Sequence, residues 1–302
     1  MKADLRMEPA TYLQINARRS HPFLFSLTGR GFYSEINALL NAILFGLVTR
    51  RRLCVDESVF AGGHLRWSDL YRSDLPWASG DPEEVADPRW RSIGVESTGF
   101  WTVHRLVGRW HRYRRFFLSR SFGFHANVFD AKRHLARQFC QAIVPQAEPA
   151  SLASPYAAIH VRRGDKVKGY MLGGNLRIEG EDVPLTDYLT ILRHRAPQLK
   201  NLFVMTDDHQ VLDDLRALDP GLTVSSLCQP LEQGYEQTDF DAMEGLAKTI
   251  AVRRLLAEVD IACRSRIFIG CYKSNVSRYI ALAHDHPRYC HSADAMKRWH
   301  PR

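Results

Sequence analysis

Arg162, Arg163, Asp165 and Lys166 crowd into a short stretch directly after the apolar run Tyr156 to Val161, in the sequence YAAIHVRRGDKV. Arginine presents paired N–H donors that match the oxygens of a phosphate. Gly164 stands where the backbone must turn. An apolar strand that delivers clustered cations at its carboxyl end suits anion binding at the edge of a parallel sheet. Two further polar segments follow apolar runs in the same manner. Thr206, Asp207 and Asp208 follow LFVM, and Gly270 to Asn275, GCYKSN, opens a helical pattern. Ser274, near that helix start, can offer its hydroxyl and nearby backbone amides to the same anion. Asp207 or Asp208 can orient an arginine or accept from ribose hydroxyls. Each of these residues also has a structural reading. An Asp after a strand is commonly a helix N-cap, which applies to Asp208. Arg163 can serve in a structural ion pair. His160 lies inside the apolar run, where a satisfied core histidine and a binding group at the strand end are both open.

The elements that must position these loops can be read from periodicity. Strand Tyr156 to Val161 precedes a helix from about Thr186, and strand Leu202 to Met205 precedes a helix from about Gln210. Strand Leu222 to Ser225 comes next. A long helix over roughly Met243 to Ala262 carries Val252, Leu255, Leu256 and Val259 on one face. Strand Ile267 to Ile269 then leads into a helix from about Asn275. Repeated strand–helix units predict a parallel, doubly wound sheet, whose ligand loops all lie at the carboxyl edge. Upstream, Phe23 to Leu27 reads as a strand and Thr28 to Gly31 as a turn. Ile36, Leu39, Leu40, Ile43 and Leu47 recur at helical spacing, and Leu53 to Val55 reads as a second strand. This is a βαβ unit with a glycine turn, Gly29 and Gly31, facing a helix N-terminus. Residues 145–155, rich in Pro, Ala and Ser, read as a linker, giving domains over 1–150 and 151–302.

The chain has 302 residues, enough for one large or two smaller domains. Its net charge of +8, from 41 Lys and Arg against 33 Asp and Glu, favours anionic partners. The six cysteines form no CxxC pair and read as thiols in a reducing compartment. The 13 histidines show no HExxH or similar spacing, so no bound metal is expected. No window approaches the run of about 18 apolar residues that spans a membrane. The N-terminus has no apolar core of the secretory type. The expectation is a soluble, cytoplasmic protein. The basic and aromatic stretch 101–120, WTVHRLVGRWHRYRRFFLSR, reads either as a helix with a solvated cationic face or as a patch for peripheral contact with the inner membrane. No RNP, KH or zinc-finger pattern appears, which argues against nucleic acid.

Together, HVRRGDKV, the TDD after an apolar strand, and IGCYKSNVSR resemble the α1,6-fucosyltransferase-like enzymes, the core and nodulation fucosyltransferases. GRGFYSEINALLNAI followed by RRRLCVD resembles their first glycine loop and helix. The resemblance covers about 156–280 and 23–58, and leaves 60–150 unmatched. It implies a GT-B fold, two Rossmann-like domains with parallel sheets facing across a cleft, the N-terminal one on the acceptor side. It also implies inverting transfer of L-fucose from GDP-fucose to a glycan acceptor, with no cofactor and no metal. By the same resemblance Arg162 and Arg163 hold the β-phosphate, His160 touches guanine and Ser274 touches phosphate. An acidic residue of the long helix, Glu258 with Asp260 nearby, pairs with the guanine edge. Gly29 and Gly31, with Phe32 beside them, lie under the phosphates. Tyr188, Asp207, Asp208, Tyr272, Lys273 and Asn275 complete the donor-site candidates. The family has a glutamate base soon after the DK pair. Here an insertion, GYMLGGNLRIEGED, separates that pair from PLTDYL. Glu179 and Glu181 are the candidate bases, with Arg162, Asp165 and Lys166 as further candidates for the chemistry. The alternatives are another nucleotide sugar on the same fold, or a non-catalytic homologue that binds nucleotide sugar or glycan.

Overall fold

The structure is a computed structural model that describes residues 7–27, 31–58, 60, 65–77, 118–143, 149, 151–172, 175–177, 182–294 and 297–298. Gly29, Glu179, Glu181 and residues 101–117 of the basic stretch lie outside the described residues. The chain divides into two compact units, Met1–Ile143 and Val144–Arg302.

The first unit contains α1 (Pro9–Ala17), β1 (Pro22–Ser26), α2 (Phe32–Thr49), β2 (Arg52–Asp56), α3 (Trp67–Leu70) and α4 (Val128–Phe139). Strands β1 and β2 pair in parallel, with Phe23 opposite Leu53 and Phe25 opposite Val55. Both carry three buried central residues, and α2 connects them as the crossover of the βαβ unit. Helix α2 is buried on almost every side, from Phe32 to Leu47. It is long and apolar enough to cross a membrane, which corrects the expectation that no window qualifies. Its burial, 83% within the protein, makes it a core helix whose apolar length is used against its neighbours. Asn16 at the end of α1 donates to the carbonyl of Leu53 and accepts its amide, both at 2.8 Å. One side-chain amide thereby satisfies the backbone pair that β2 would otherwise leave buried and unpaired.

The second unit is built on β3 (Tyr156–Val161), α5 (Asp165–Lys168), a hairpin of β4 (Tyr170–Leu172) and β5 (Asn175–Arg177), α6 (Leu185–Arg195), β6 (Asn201–Thr206), α7 (Gln210–Leu218) and β7 (Thr223–Ser225). It continues with α8 (Gln237–Ala242), α9 (Gly245–Arg264), β8 (Ile267–Gly270), α10 (Asn275–Ala283), β9 (Cys290–Ser292) and β10 (Lys297–Arg298). Six strands form one sheet in the order β10-β9-β8-β3-β6-β7, parallel except for β10. All six residues of β3 are buried, the continuous apolar run expected of a strand covered on both faces. Side chains alternate across it. Ala157, Ile159 and Val161 pack with Tyr188, Leu189 and Leu192 of α6 and Leu212 and Leu215 of α7 in one core cluster. The intervening His160 bonds to Ser277 of α10. Burying Phe203 and Phe268 completely adds on the order of 2–3 kcal/mol each.

The strand order marks a candidate place for a site. From β3 the chain steps outward through β6 to β7, then crosses back to place β8 on the other side of β3. The order reverses between β3 and β8, and the loops after these two strands diverge from that point. In open α/β sheets the crevice at such a reversal is where ligands bind.

Candidate functional site

The loop after β3 carries the arginines. Arg162 Nη2 donates to Asp165 Oδ1 at 2.7 Å, and Asp165 is 2% exposed. The other Asp165 oxygen accepts the Gln237 amide at 3.2 Å, and the Asp165 amide donates to the Tyr235 carbonyl at 2.9 Å. Asp165 is thus fully engaged below Arg162 and positions it. Its carboxylate faces the chain's own donors. The Arg162 guanidinium carbon lies 4.9 Å from the centroid of the Tyr235 ring. Arg162 Nε is buried, lies 3.9 Å from Asp207 Oδ2, and donates no hydrogen bond among the described residues.

Asp207, at the end of β6, ties two loops together. It accepts the amides of Arg163 at 2.8 Å and of Gly164 and Tyr235 at 3.1 Å each. Its own carbonyl accepts the Gly234 amide at 2.7 Å. Its carboxylate thereby anchors the arginine loop to the segment around Tyr235. Asp208 accepts the amide of Gln210 at 3.0 Å, a turn closed just before α7, whose N-cap is His209. Arg163 pairs through its guanidinium with Asp182, an aspartate 61% exposed. Lys166 lies on α5, and its side chain is outside the described part of the structure.

The loop after β8 is organised by a residue that the sequence did not single out. Asp294, just past β9, accepts the amides of Tyr272 at 2.7 Å and Lys273 at 3.2 Å and the Ser292 hydroxyl at 2.5 Å. Burial opposes the charge, but these hydrogen bonds outweigh it and hold the Asp294 carboxyl below the usual carboxylate range. The backbone amides of Tyr272 and Lys273 are therefore used within the protein. Ser274 caps α10, accepting from the Ser277 amide at 3.3 Å, and Asn275 opens the helix. What remains for an anion on this side is the positive end of α10. Tyr272 is 40% exposed and stacks with Arg278, whose guanidinium carbon lies 5.0 Å from the ring centroid.

His160 is buried, with Nδ1 2.7 Å from the Ser277 hydroxyl. Burial, with Arg162 adding to it, lowers its pKa to about 3, so the ring is neutral at physiological pH. Glu258 lies on the buried face of α9. Its Oε1 accepts no hydrogen bond among the described residues. Burial pushes the carboxyl up to about 8; Arg254 opposes the rise, and Glu232 and Asp207 add to it. Arg254 is drawn toward Glu232, 2.5 Å away.

Asp260 pairs with Arg264 at 3.0 Å on the exposed side of α9. Residues two apart on a helix point about 200° from each other, so Glu258 and Asp260 cannot serve one site. Tyr188 is 1% exposed and bonds to Cys271 at 2.8 Å, which makes it a core support for the third loop. Phe32 is buried in an aromatic cluster with Tyr33, Phe60 and Tyr71, following Gly31, the N-cap of α2. All six cysteines lie among the described residues and are thiols, Cys263 and Cys271 partly buried and the others buried. Among the described residues no group of three or more His, Cys, Asp or Glu is arranged to hold a metal ion.

A parallel α/β sheet with two polar loops diverging at its reversal point defines the class. The fold is that of the GT-B fucosyltransferases. Among solved structures, it is similar to that of Arabidopsis thaliana FUT1, determined as a mutant in complex with GDP, with a TM-score of 0.53 and 12% identity over 91% of this chain and 72% of that one. It is also similar to that of NodZ α-1,6-fucosyltransferase soaked with GDP-fucose, with a TM-score of 0.50 and 14% identity over 88% of this chain and 93% of that one. No protein-family model matches the sequence, and no curated protein matches it.

Proposed function

We propose that this chain is an inverting glycosyltransferase that moves L-fucose from GDP-fucose to a hydroxyl of a glycan acceptor. The observation that carries the reading is Arg162, a guanidinium held by a buried aspartate at the reversal point of the sheet. A positioned fork at that place suits the diphosphate of a nucleotide donor. Glu258 supplies the second element. A buried carboxylate oxygen lacking a partner is costly unless a ligand meets it. Guanine offers two adjacent N–H donors that a carboxylate can accept together, and neither adenine nor uracil repeats that pair. The N-terminal unit, with its βαβ core, is assigned to the acceptor side.

In the reaction, the bond between fucose C1 and the β-phosphate oxygen breaks, and its electron pair stays on the phosphate. Arg162, Arg163 and the positive end of α10 meet the developing charge, and no step is assigned to a metal ion. The acceptor oxygen attacks C1 from the opposite face, inverting its configuration, and gives its proton to a carboxylate. Glu179 and Glu181 are the candidates for that base.

Calorimetric titration tests the donor. GDP is expected to bind, with UDP, ADP and CMP weaker by about tenfold or more. Equal affinity across the four overturns the fucose reading. Glu258 makes the pH dependence specific. Its carboxyl is protonated below about 8, whereas pairing with guanine requires the charged form. GDP affinity should therefore rise from pH 6 to about 8, by up to about tenfold per unit, and level off above. Glu258→Gln should bind GDP more weakly and lose this rise. Affinity that is flat with pH in the wild type counts against Glu258 as the base-recognising group.

A further inference from the structure

The segment Gln233 to Gln237, which leads from β7 into the first residue of α8, is bonded along its length to the arginine loop. Lys168 Nζ donates to the Gln233 carbonyl at 3.1 Å, and Gly234 and Tyr235 both donate to Asp207. The Tyr235 carbonyl and the Gln237 amide hold Asp165. The backbones approach so closely that a Cβ on Gly164 would collide with the backbone of Tyr235. From this scaffold the Tyr235 ring projects against the Arg162 guanidinium. Behind it, the Phe240 ring centroid lies 5.8 Å away, and Lys248 Nζ lies 5.1 Å from the centroid of Phe240. Lys248 is buried and donates to the Asp241 carbonyl at 3.2 Å. Two cations thus bracket two aromatic rings, linking the arginine loop to α9.

We infer that Tyr235 is a positioning residue for the donor diphosphate, its ring holding the Arg162 guanidinium in place over the ring face while Asp165 holds its Nη2 end. Asp165 holds Arg162 at one end, through Nη2. A single hydrogen bond leaves the fork free to rotate about that contact. A ring face against the guanidinium removes the rotation, because a cation prefers to lie over the face of the π system. Arginine stacks in this way better than lysine does, since its guanidinium is planar. The hydroxyl is directed elsewhere, to Gln237 at 3.2 Å, so the contribution to Arg162 comes from the ring.

The inference rests on the donor reading, and comparing GDP with GMP separates the two. GMP lacks the β-phosphate assigned to Arg162. In Tyr235→Leu, GDP affinity should fall about tenfold while GMP affinity is nearly unchanged, so the preference for GDP collapses. Tyr235→Phe should keep both affinities within about twofold of wild type. A folded Tyr235→Leu that weakens both nucleotides equally overturns the positioning role. Equal GDP preference in Tyr235→Leu and wild type also overturns it. A wild-type protein that binds no GDP overturns the donor reading and this inference with it. If Tyr235→Leu does not fold, Phe240→Leu reads the same ratio with the Tyr235 backbone bonds intact. It should narrow the GDP preference about threefold, and an unchanged ratio counts against the stack.

Discussion

Replacing Arg162 with alanine is expected to abolish fucosyl transfer, lowering kcat/KM by about a thousandfold or more. The size follows from where the charge develops. In the proposed transfer the departing GDP carries the electron pair of the broken bond, and Arg162 is a cation whose position is set by a buried partner. The variant also leaves Asp165, 2% exposed, without its ion partner, at a cost of about 1–3 kcal/mol. A lower urea midpoint alone would therefore not isolate catalysis. Arg162→Lys does so, because it keeps a charge beside Asp165 but loses the fork and the planar stack on Tyr235. The expected result is a folded protein with GDP affinity reduced at least about tenfold and turnover reduced further. Near wild-type turnover in either variant would remove Arg162 from the mechanism.

Gly164→Ala is the second large effect, and it acts through space. Gly164 has φ of −74°, so no left-handed backbone calls for the glycine. The added methyl would fall on the carbonyl oxygen and amide nitrogen of Tyr235. Both are backbone atoms, already bonded to Asp165 and Asp207, and neither can swing away. Gly234, at φ of +111°, brings its own backbone to the same place. The variant should lose about 3 kcal/mol or more in urea unfolding and bind GDP poorly, since the strap and the arginine loop part together. An unchanged midpoint would show that the two backbones are not packed as described.

The sheet was largely legible because its strands are short apolar runs buried on both faces. Tyr156–Val161 and Asn201–Thr206 have no polar interruption beyond His160 and the terminal Asn201 and Thr206, and their helices carry apolar periodicity. Strand β9, Cys-His-Ser, has no such signature, and its pairing with β8 and β10 makes it a strand. The hairpin of β4 and β5 hides in the insertion after Lys168, although two short runs around Gly-Gly are a hairpin signal. The helix expected from Met243 begins at Gly245, after the separate short helix α8. Loop residues were legible in type and less so in role. Arg162 and Ser274 stand where the strand ends put them. Asp207 and Asp165 satisfy backbone amides, a use that residue type cannot announce. Tyr235 and Asp294 act on residues far away in sequence, Asp294 on Tyr272 and Tyr235 on Arg162, and no local pattern links them. Glu258 and Asp260 could have been separated beforehand by helical geometry.

The carboxylates of Asp207 and Asp294 have a consequence for how fast and how stiffly the crevice takes its ligand. Each closes a loop on internal acceptors, so the loops do not need an incoming anion to acquire their shape. The ordering entropy that a floppy phosphate loop surrenders on association is already spent during folding. Association should then resemble the docking of a rigid body, limited by diffusion and orientation, with no slow isomerisation following the encounter.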